Sequence, residues 1–369
     1  MVVDQMCWEY LSKFKPYFAK NGGFNRLLNN GANCVNTHIP YLPTITACGH
    51  TCVYTGSVPA FHGIAGNVFW DNINQKQVYC TEDNTVKSVG DVSDKNGKMS
   101  PKNLWASTIA DQLRLFNNFK NKSFGISIKD RGAILPAGQS ANAAYWYDPQ
   151  TGNFITSTYY QNQLPNWLIQ FNNQKKVNEY YKKNWHLSLP INIYQQLCDE
   201  DNNGYENNPF NANSNPIFPY ILDSFVDKDF SKISSTPFAN DLLVDLAQKL
   251  IIEENLGKNK ETDFLSISFS SPDYIGHSFG PNSFEQLDDY IKLDLTLARL
   301  FSILDNNIGI NNYTLFLTAD HAVSPIPAYL NKHHINANTI DDKIIKKEIY
   351  TLLDKEKINH NIISAVIEN

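Results

Sequence analysis

The sequence predicts an α/β fold built on a mostly parallel sheet, and three observations carry that prediction. Short apolar strands alternate with long amphipathic helices, the pattern of domains whose parallel strands are joined by helices. Asp4, Lys129, Asp273 and Asp320 each fall at or just past the carboxyl end of such a strand, where ligands lie in open α/β sheets. The stretch from Pro43 to Asn67 places the hydroxyl of Thr46 at the head of a short helix, where free N–H groups and the helix dipole favour an anion.

In chain order, Val2-Val3 reads as the end of a buried strand with its first half missing and Asp4 at its tip. Trp8 to Ala19 has helical spacing, and Phe24 to Asn29 makes a shorter helix closed by Asn30-Gly31. Ala47 to Thr55 is the helix behind Thr46, with Gly56 as its stop. Residues 68–99 hold turn formers and short β runs such as Gln77 to Cys80, and read as an excursion from the core. Leu104 to Phe116 is a core helix; Phe124 to Ile128 is a strand with Lys129-Asp130-Arg131 at its end. Residues 138–239 are rich in Tyr, Trp, Asn and Pro, include an Asn-rich loop from Asp201 to Asn215, and read as a cap or lid. Its rings Trp146, Tyr147, Tyr159 and Tyr160 are expected to cover the site.

Phe238 to Leu256 is a strong helix, followed by the strand Phe264 to Phe269 and a loop, Ser270 to Phe279, that carries Asp273. Phe284 to Leu304 is a long helix, and the strand Tyr313 to Thr318 delivers Asp320-His321. The tail from Leu330 is Lys- and Ile-rich and weakly helical. One domain is expected, with core segments 1–67, 100–137 and 240–330, insertions 68–99 and 138–239, and at 331–369 the start of an incomplete C-terminal part.

With 369 residues, 42% of them hydrophobic, the chain can bury a large core. A net charge of −6 argues against a nucleic-acid partner, whose binder should be basic. There is no apolar run of membrane-spanning length, and no export signal precedes Asp4. The six cysteines form no CxxC pair, so Cys48 and Cys52 are read as packing residues, while Cys34 and Cys80 are candidates for a disulfide in an oxidising compartment.

The chemistry gathers at the strand ends. Asp320-His321, Asp273 with His277, and Asp4 offer carboxylates and imidazoles, a donor set that suits Zn²⁺ best. Two metals about 4 Å apart would clamp a phosphoryl group. Thr46 is either a helix cap or a nucleophile. Lys129 and Arg131, two apart on a strand end and so able to face one side, can neutralise phosphoryl oxygens, Arg131 bidentately. Asn67 can donate its amide to the same oxygens, with Gly63 and Gly66 letting the loop approach.

Pro43 to Asn67 and Ser127 to Gly138, with Val3-Asp4-Gln5-Met6, Pro272 to His277 and Ala319-Asp320-His321, resemble the PafA-type, phosphate-irrepressible members of the alkaline phosphatase superfamily. The resemblance runs through nearly the whole chain in order and implies a three-layer sandwich. It also implies zinc-dependent hydrolysis of small phosphate monoesters in the periplasm or outside the cell. Carried over by residue, Thr46 is the nucleophile, and Asn67, Lys129 and Arg131 bind phosphoryl oxygens. Asp273 and His277 bind one Zn²⁺; Asp4, Asp320 and His321 bind the other, which also touches Thr46. A monomer without membrane or nucleic-acid partners is expected. The family's third histidine on the first zinc has no match; His333, His334 and His360 stand in the tail with no strand before them. A chain short of one ligand should be a poor phosphatase. The alternatives are a phosphodiesterase of the same superfamily, whose nucleotide pyrophosphatase branch shares the Thr and the metal ligands but not the Lys and Arg, and an inactive, truncated metal-binding fragment.

Overall fold

The computed structural model describes residues 1–90 and 95–363; the ends of the first insertion and of the tail, at 91–94 and 364–369, lie outside the described residues. Eight strands are described: β1 (Val2–Val3), β2 (Val68–Asp71), β3 (Lys76–Tyr79), β4 (Ser88–Val89), β5 (Ser123–Ser127), β6 (Ala143–Asp148), β7 (Asn153–Ser157) and β8 (Phe264–Phe269). Six of them form one sheet in the order β1-β8-β5-β6-β7-β4, while β2 and β3 form a separate antiparallel hairpin. The run β1, β8, β5, β6 is parallel, and β7 and β4 extend it antiparallel, so the sheet is mixed and mostly parallel.

Helices cover both faces. On the way to β2 come α1 (Trp8–Phe14), α2 (Gly23–Asn30), α3 (Thr46–Thr55) and α4 (Pro59–His62); α5 (Ile109–Phe116) and α6 (Asp130–Ala137) flank β5. The second half holds α7 (Asn166–Asn173), α8 (Lys176–Tyr181), α9 (Ile191–Leu197), α10 (Phe238–Glu253), α11 (Ser271–Phe279), α12 (Phe284–Asn307), α13 (Pro327–Lys332) and α14 (Asp342–Lys355). Period-two alternation along β6 shows the sandwich directly. Tyr145 and Tyr147 join the large core with α10 and α12, while Ala144 and Trp146 pack with Ala133, Ile134 and Ala137 of α6. Gly125 of β5 permits that second contact, since a Cβ there would meet Ala133 O at 2.1 Å.

Several elements differ from the sequence reading. The first helix stops at Phe14 and tightens into a 3₁₀ turn at Lys15–Tyr17, because Pro16 cannot continue an α-helix. The core helix expected from Leu104 starts at Ile109, where Thr108 and Asp111 close a capping box. Lys129 and Arg131 are not on a strand end: Lys129 is the extended N-cap of α6 and Arg131 lies in its first turn. Asp273 is not in a loop either, since Pro272 seeds α11 directly after β8 and brings Asp273 and His277 one turn apart. The strand expected at Tyr313 to Thr318 reduces to an extended segment making one parallel bridge, Val2 to Thr318.

Part of the expected second insertion, 138–239, lies in the sheet and not over it. Residues 143–157 are sheet strands β6 and β7, and the first insertion donates β4 to the far edge. The expected cap rings are therefore elsewhere: Trp146 and Tyr147 sit buried on opposite faces of the sheet, Tyr160 is half-buried against the core, and the Tyr159 hydroxyl donates to Gln139 O. The sulfurs of Cys34 and Cys80 are free, one exposed and one buried, so the pairing considered from sequence is not formed. Cys48 packs as expected, its thiol against Ile64 O at 3.2 Å. Among the described residues no helix is long and apolar enough to cross a membrane.

Register aligns the site. Val2, Ser127 and Thr318 all pair in one row, through Ser268 and the Val2 bridge, and two residues beyond them come Asp4, Lys129 and Asp320. Helix α3 then packs backbone to backbone on that row: a Cβ on Gly49 would lie 2.3 Å from Asp320 O. Gly49→Ala is expected to cost about 1–3 kcal/mol through overpacking, read as a lower denaturant midpoint. A midpoint equal to wild type would contradict this close approach.

Candidate active site

Thr46 opens α3 as its first helical residue and is buried. It does not cap the helix. The N-cap position is Ile45, and Asn67 Oδ1 accepts the free Ala47 N–H at 2.9 Å instead. The Thr46 hydroxyl is thereby left to the site, 3.3 Å from Lys129 Nζ and 3.5 Å from His321 Nε2. Of the two sequence readings of this residue, the cap is excluded.

Lys129 sits at the centre. Its buried ammonium donates to Asp4 Oδ2 at 2.7 Å and to Asp273 Oδ2 at 2.5 Å, and lies 5.2 Å from the centre of the Tyr274 ring. Burial works against its charge, but the Asp4 and Asp273 carboxylates outweigh that and raise its pKa. His321 is raised to about 9 in the same way: burial opposes, and Asp4 and Asp320 prevail. Its Nε2 lies 3.4 Å from Asp4 Oδ1 and 3.7 Å from Asp320 Oδ2. Asp273 and Asp320 are both held below the ordinary carboxylate range despite burial, Asp273 by Lys129 and His277, Asp320 by His50, His321 and Lys129. His277 reaches Asp273 Oδ1 at 3.3 Å from an otherwise exposed position.

The structure thus brings Asp4, Thr46, Lys129, Asp273, His277, Asp320 and His321 together, with Asn67 on the Ala47 amide. Arg131 is turned toward Tyr79, donating from Nη1 to its hydroxyl at 3.0 Å, and its Nε is buried without a hydrogen-bond partner. His333 packs at a tilt against the Tyr329 ring and His360 bonds Asp354, and both histidines are exposed.

Two residues given no role from sequence turn out to organise the carboxylates. Gln5, buried and at φ +66°, donates its backbone N–H to Asp320 Oδ1 at 3.1 Å and its side-chain amide to Asp273 Oδ1 at 2.8 Å. His50, fully buried, lies 3.0 Å from Asp320 Oδ2 through Nδ1 and 2.7 Å from Ser268 Oγ through Nε2. The available signals were adjacency to Asp4 and the one-turn spacing from Thr46 to His50.

The donor set fits a divalent cation. Asp4, Asp273 and His321 each present a ligand atom, all within 4.8 Å of one another. Asp4 Oδ1 is buried without a hydrogen-bond donor, and His321 Nδ1 meets Ala322 O at 2.8 Å, which turns Nε2 inward as a ligand. The two ligand sets expected from sequence share this centre, since Asp273 and Asp4 approach the same histidine.

The family model described as Type I phosphodiesterase / nucleotide pyrophosphatase matches residues 1–366. The chain belongs to that family, as one of its PafA-type members. Alkaline phosphatase PhoV of Synechococcus elongatus is 48% identical over 330 residues, covering 89% of this chain and 59% of PhoV. Alkaline phosphatase PafA of Elizabethkingia meningoseptica is 43% identical over all 369 residues, which span 67% of PafA. The crystal structure of wild-type PafA superposes with a TM-score of 0.94 at 42% identity over 99% of this chain and 69% of that one. A second PafA crystal structure, a variant altered at a threonine, an asparagine, a lysine and an arginine, superposes at 0.91 with 38% identity over 98% of this chain and 73% of that one. Those four positions are separated by 21, 62 and 2 residues, as Thr46, Asn67, Lys129 and Arg131 are here.

The depressed carboxylates fix a pH dependence. Because Asp273 and Asp320 titrate lower folded than unfolded, their stabilisation is complete above about pH 4 and is lost as pH falls through the folded values. The thermal midpoint of metal-stripped protein is expected to fall steadily below that pH, and Asp320→Asn should flatten the slope. An unchanged slope in the variant would contradict the electrostatics described here.

Proposed function

We propose that this protein hydrolyses phosphate monoesters with divalent metal ions, zinc fitting best, and with Thr46 as nucleophile. The observation that carries the reading is the Thr46 hydroxyl. It is relieved of capping and held against Lys129 and His321, inside a carboxylate and imidazole cluster at the strand ends. The likeness to PhoV and PafA supports the same chemistry, as does the spacing of the four residues altered in the PafA variant.

Asp273 and His277 would hold one ion, and Asp4, Asp320 and His321 the other. When bound, the ions supply Lewis acidity that lowers the pKa of the nucleophile and balances charge on the ester oxygens. The chain's own groups do the rest. Thr46 Oγ forms a bond to phosphorus while the ester P–O bond breaks and the alcohol departs; water then attacks the phospho-threonine and releases phosphate. The N-terminus of α3 faces the incoming anion with its N–H groups and dipole. Lys129, Asn67 and Arg131 would contact the non-bridging oxygens, Arg131 through its unpartnered Nε edge. A monoester carries one more charged oxygen than a diester, and this pair of cations is suited to it. The substrate class is small phosphate esters, and a periplasmic or extracellular location is the one we propose, with the family likeness in its support. The family description names phosphodiesterases, and a diesterase is the second reading.

Thr46→Ala is expected to lower kcat/KM on an aryl phosphate by at least about a thousandfold, with zinc content by metal analysis close to wild type. Retained turnover would remove Thr46 from the role. Replacing both Lys129 and Arg131 by Ala should cut monoester hydrolysis by about 100-fold or more while sparing the methyl diester. Equal losses would mean that the pair is structural and does not select the monoester, and a wild-type chain that binds zinc yet turns over neither ester would leave a metal-binding protein.

A further inference from the structure

The first insertion returns to the core beside Arg131. Tyr79 ends β3, and with Phe69 it packs on a buried cluster of Ala47, Ile64, Cys80, Leu104 and Leu135. That cluster joins the helix of Thr46 to the helix of Arg131, so the ring rides on rigid ground.

The Tyr79 hydroxyl is bonded twice. It donates to Asp130 Oδ1 at 2.8 Å and accepts from Arg131 Nη1 at 3.0 Å. Asp130 is fixed in turn, since its Oδ2 accepts from Thr81 Oγ1 at 2.5 Å. The phenol proton is therefore committed to Asp130, and the oxygen lone pair is left facing the guanidinium. Burial, with the Asp130 charge, also keeps the phenol protonated. Without this oxygen the nearest anion to Arg131 is Asp130 itself, whose Oδ1 is already 4.0 Å from Nη1. A guanidinium in direct contact with that carboxylate would turn its donors toward the protein and away from a phosphoryl group.

We propose that Tyr79 is a positioning residue that sets monoester selectivity. Its hydroxyl stands between Arg131 and Asp130, and so keeps the Nε edge of Arg131 free for a phosphoryl oxygen. This rests on the monoester reading above. It assigns to the hairpin insertion a buttressing role beneath the phosphoryl site.

The test is a double-mutant cycle read on two substrates, an aryl phosphate and its methyl diester. Tyr79→Phe removes one oxygen and keeps the ring packing. It is expected to lower monoester kcat/KM by about 10- to 100-fold and to leave the diester within about twofold of wild type. In the Arg131→Ala background the same change should have little further effect, because Tyr79 acts through Arg131. An unchanged monoester-to-diester ratio in Tyr79→Phe, or losses that multiply with those of Arg131→Ala, would overturn the proposal. An Arg131→Ala enzyme with a wild-type ratio would overturn the monoester reading itself, and this inference with it.

Discussion

A lysine ammonium buried between two carboxylates is the interaction on which the rest of the structure depends. Lys129 Nζ contacts Asp4, Asp273 and Thr46 with its side chain almost wholly removed from water. An unpaired buried charge costs several kcal/mol, so this one requires both carboxylates to be delivered within hydrogen-bond reach. That requirement reaches back to the sheet. Asp4 directly follows β1, Asp273 lies in the helix after β8, and Lys129 is the N-cap of the helix after β5, and β1-β8-β5 are adjacent and parallel. A slip of one residue in any of these pairings would turn its side chain to the other face and strand the charge.

The same cluster explains why the site suits cations and anions together. Its carboxylates raise His321 and Lys129 and would attract a divalent ion, while the head of α3, Lys129 and Arg131 face the other way electrostatically. Gln5 and His50 keep the carboxylates from adapting: Gln5 ties Asp273 to Asp320, and His50 ties Asp320 to the strand through Ser268. Fixed negative groups and a fixed ammonium donor thus surround the Thr46 hydroxyl together, already in place without reorganisation.

Much of this was legible in the sequence because parallel sheets place ligands by a rule that strand ends reveal. Asp4, Asp273 and Asp320 could be found by counting from apolar runs, and Thr46 from its helix signals. What could not be read was anything set by tertiary contact. Lys129 and Arg131 were expected to point together from one strand end. A helix begins between them, so Lys129 turns to Asp4 and Asp273 while Arg131 turns to Tyr79. Trp146 and Tyr147 looked like lid aromatics because a fully buried strand has no polar alternation to mark it. The segment before Asp320 looked like a full strand, yet its outer side is half-exposed and only Thr318 bridges to β1. Whether Thr46 caps its helix depended on Asn67, 21 residues away, which no local pattern announces.

The central claim is that the Thr46 hydroxyl, freed from capping, takes the phosphoryl group. The most direct measurement is to quench the zinc-loaded protein during turnover of a ³²P-labelled aryl phosphate and map the label by peptide mass spectrometry. Phosphate is expected on Thr46 alone. Turnover that labels another residue, or that continues with no labelled protein under conditions where dephosphorylation is slowed, would contradict it.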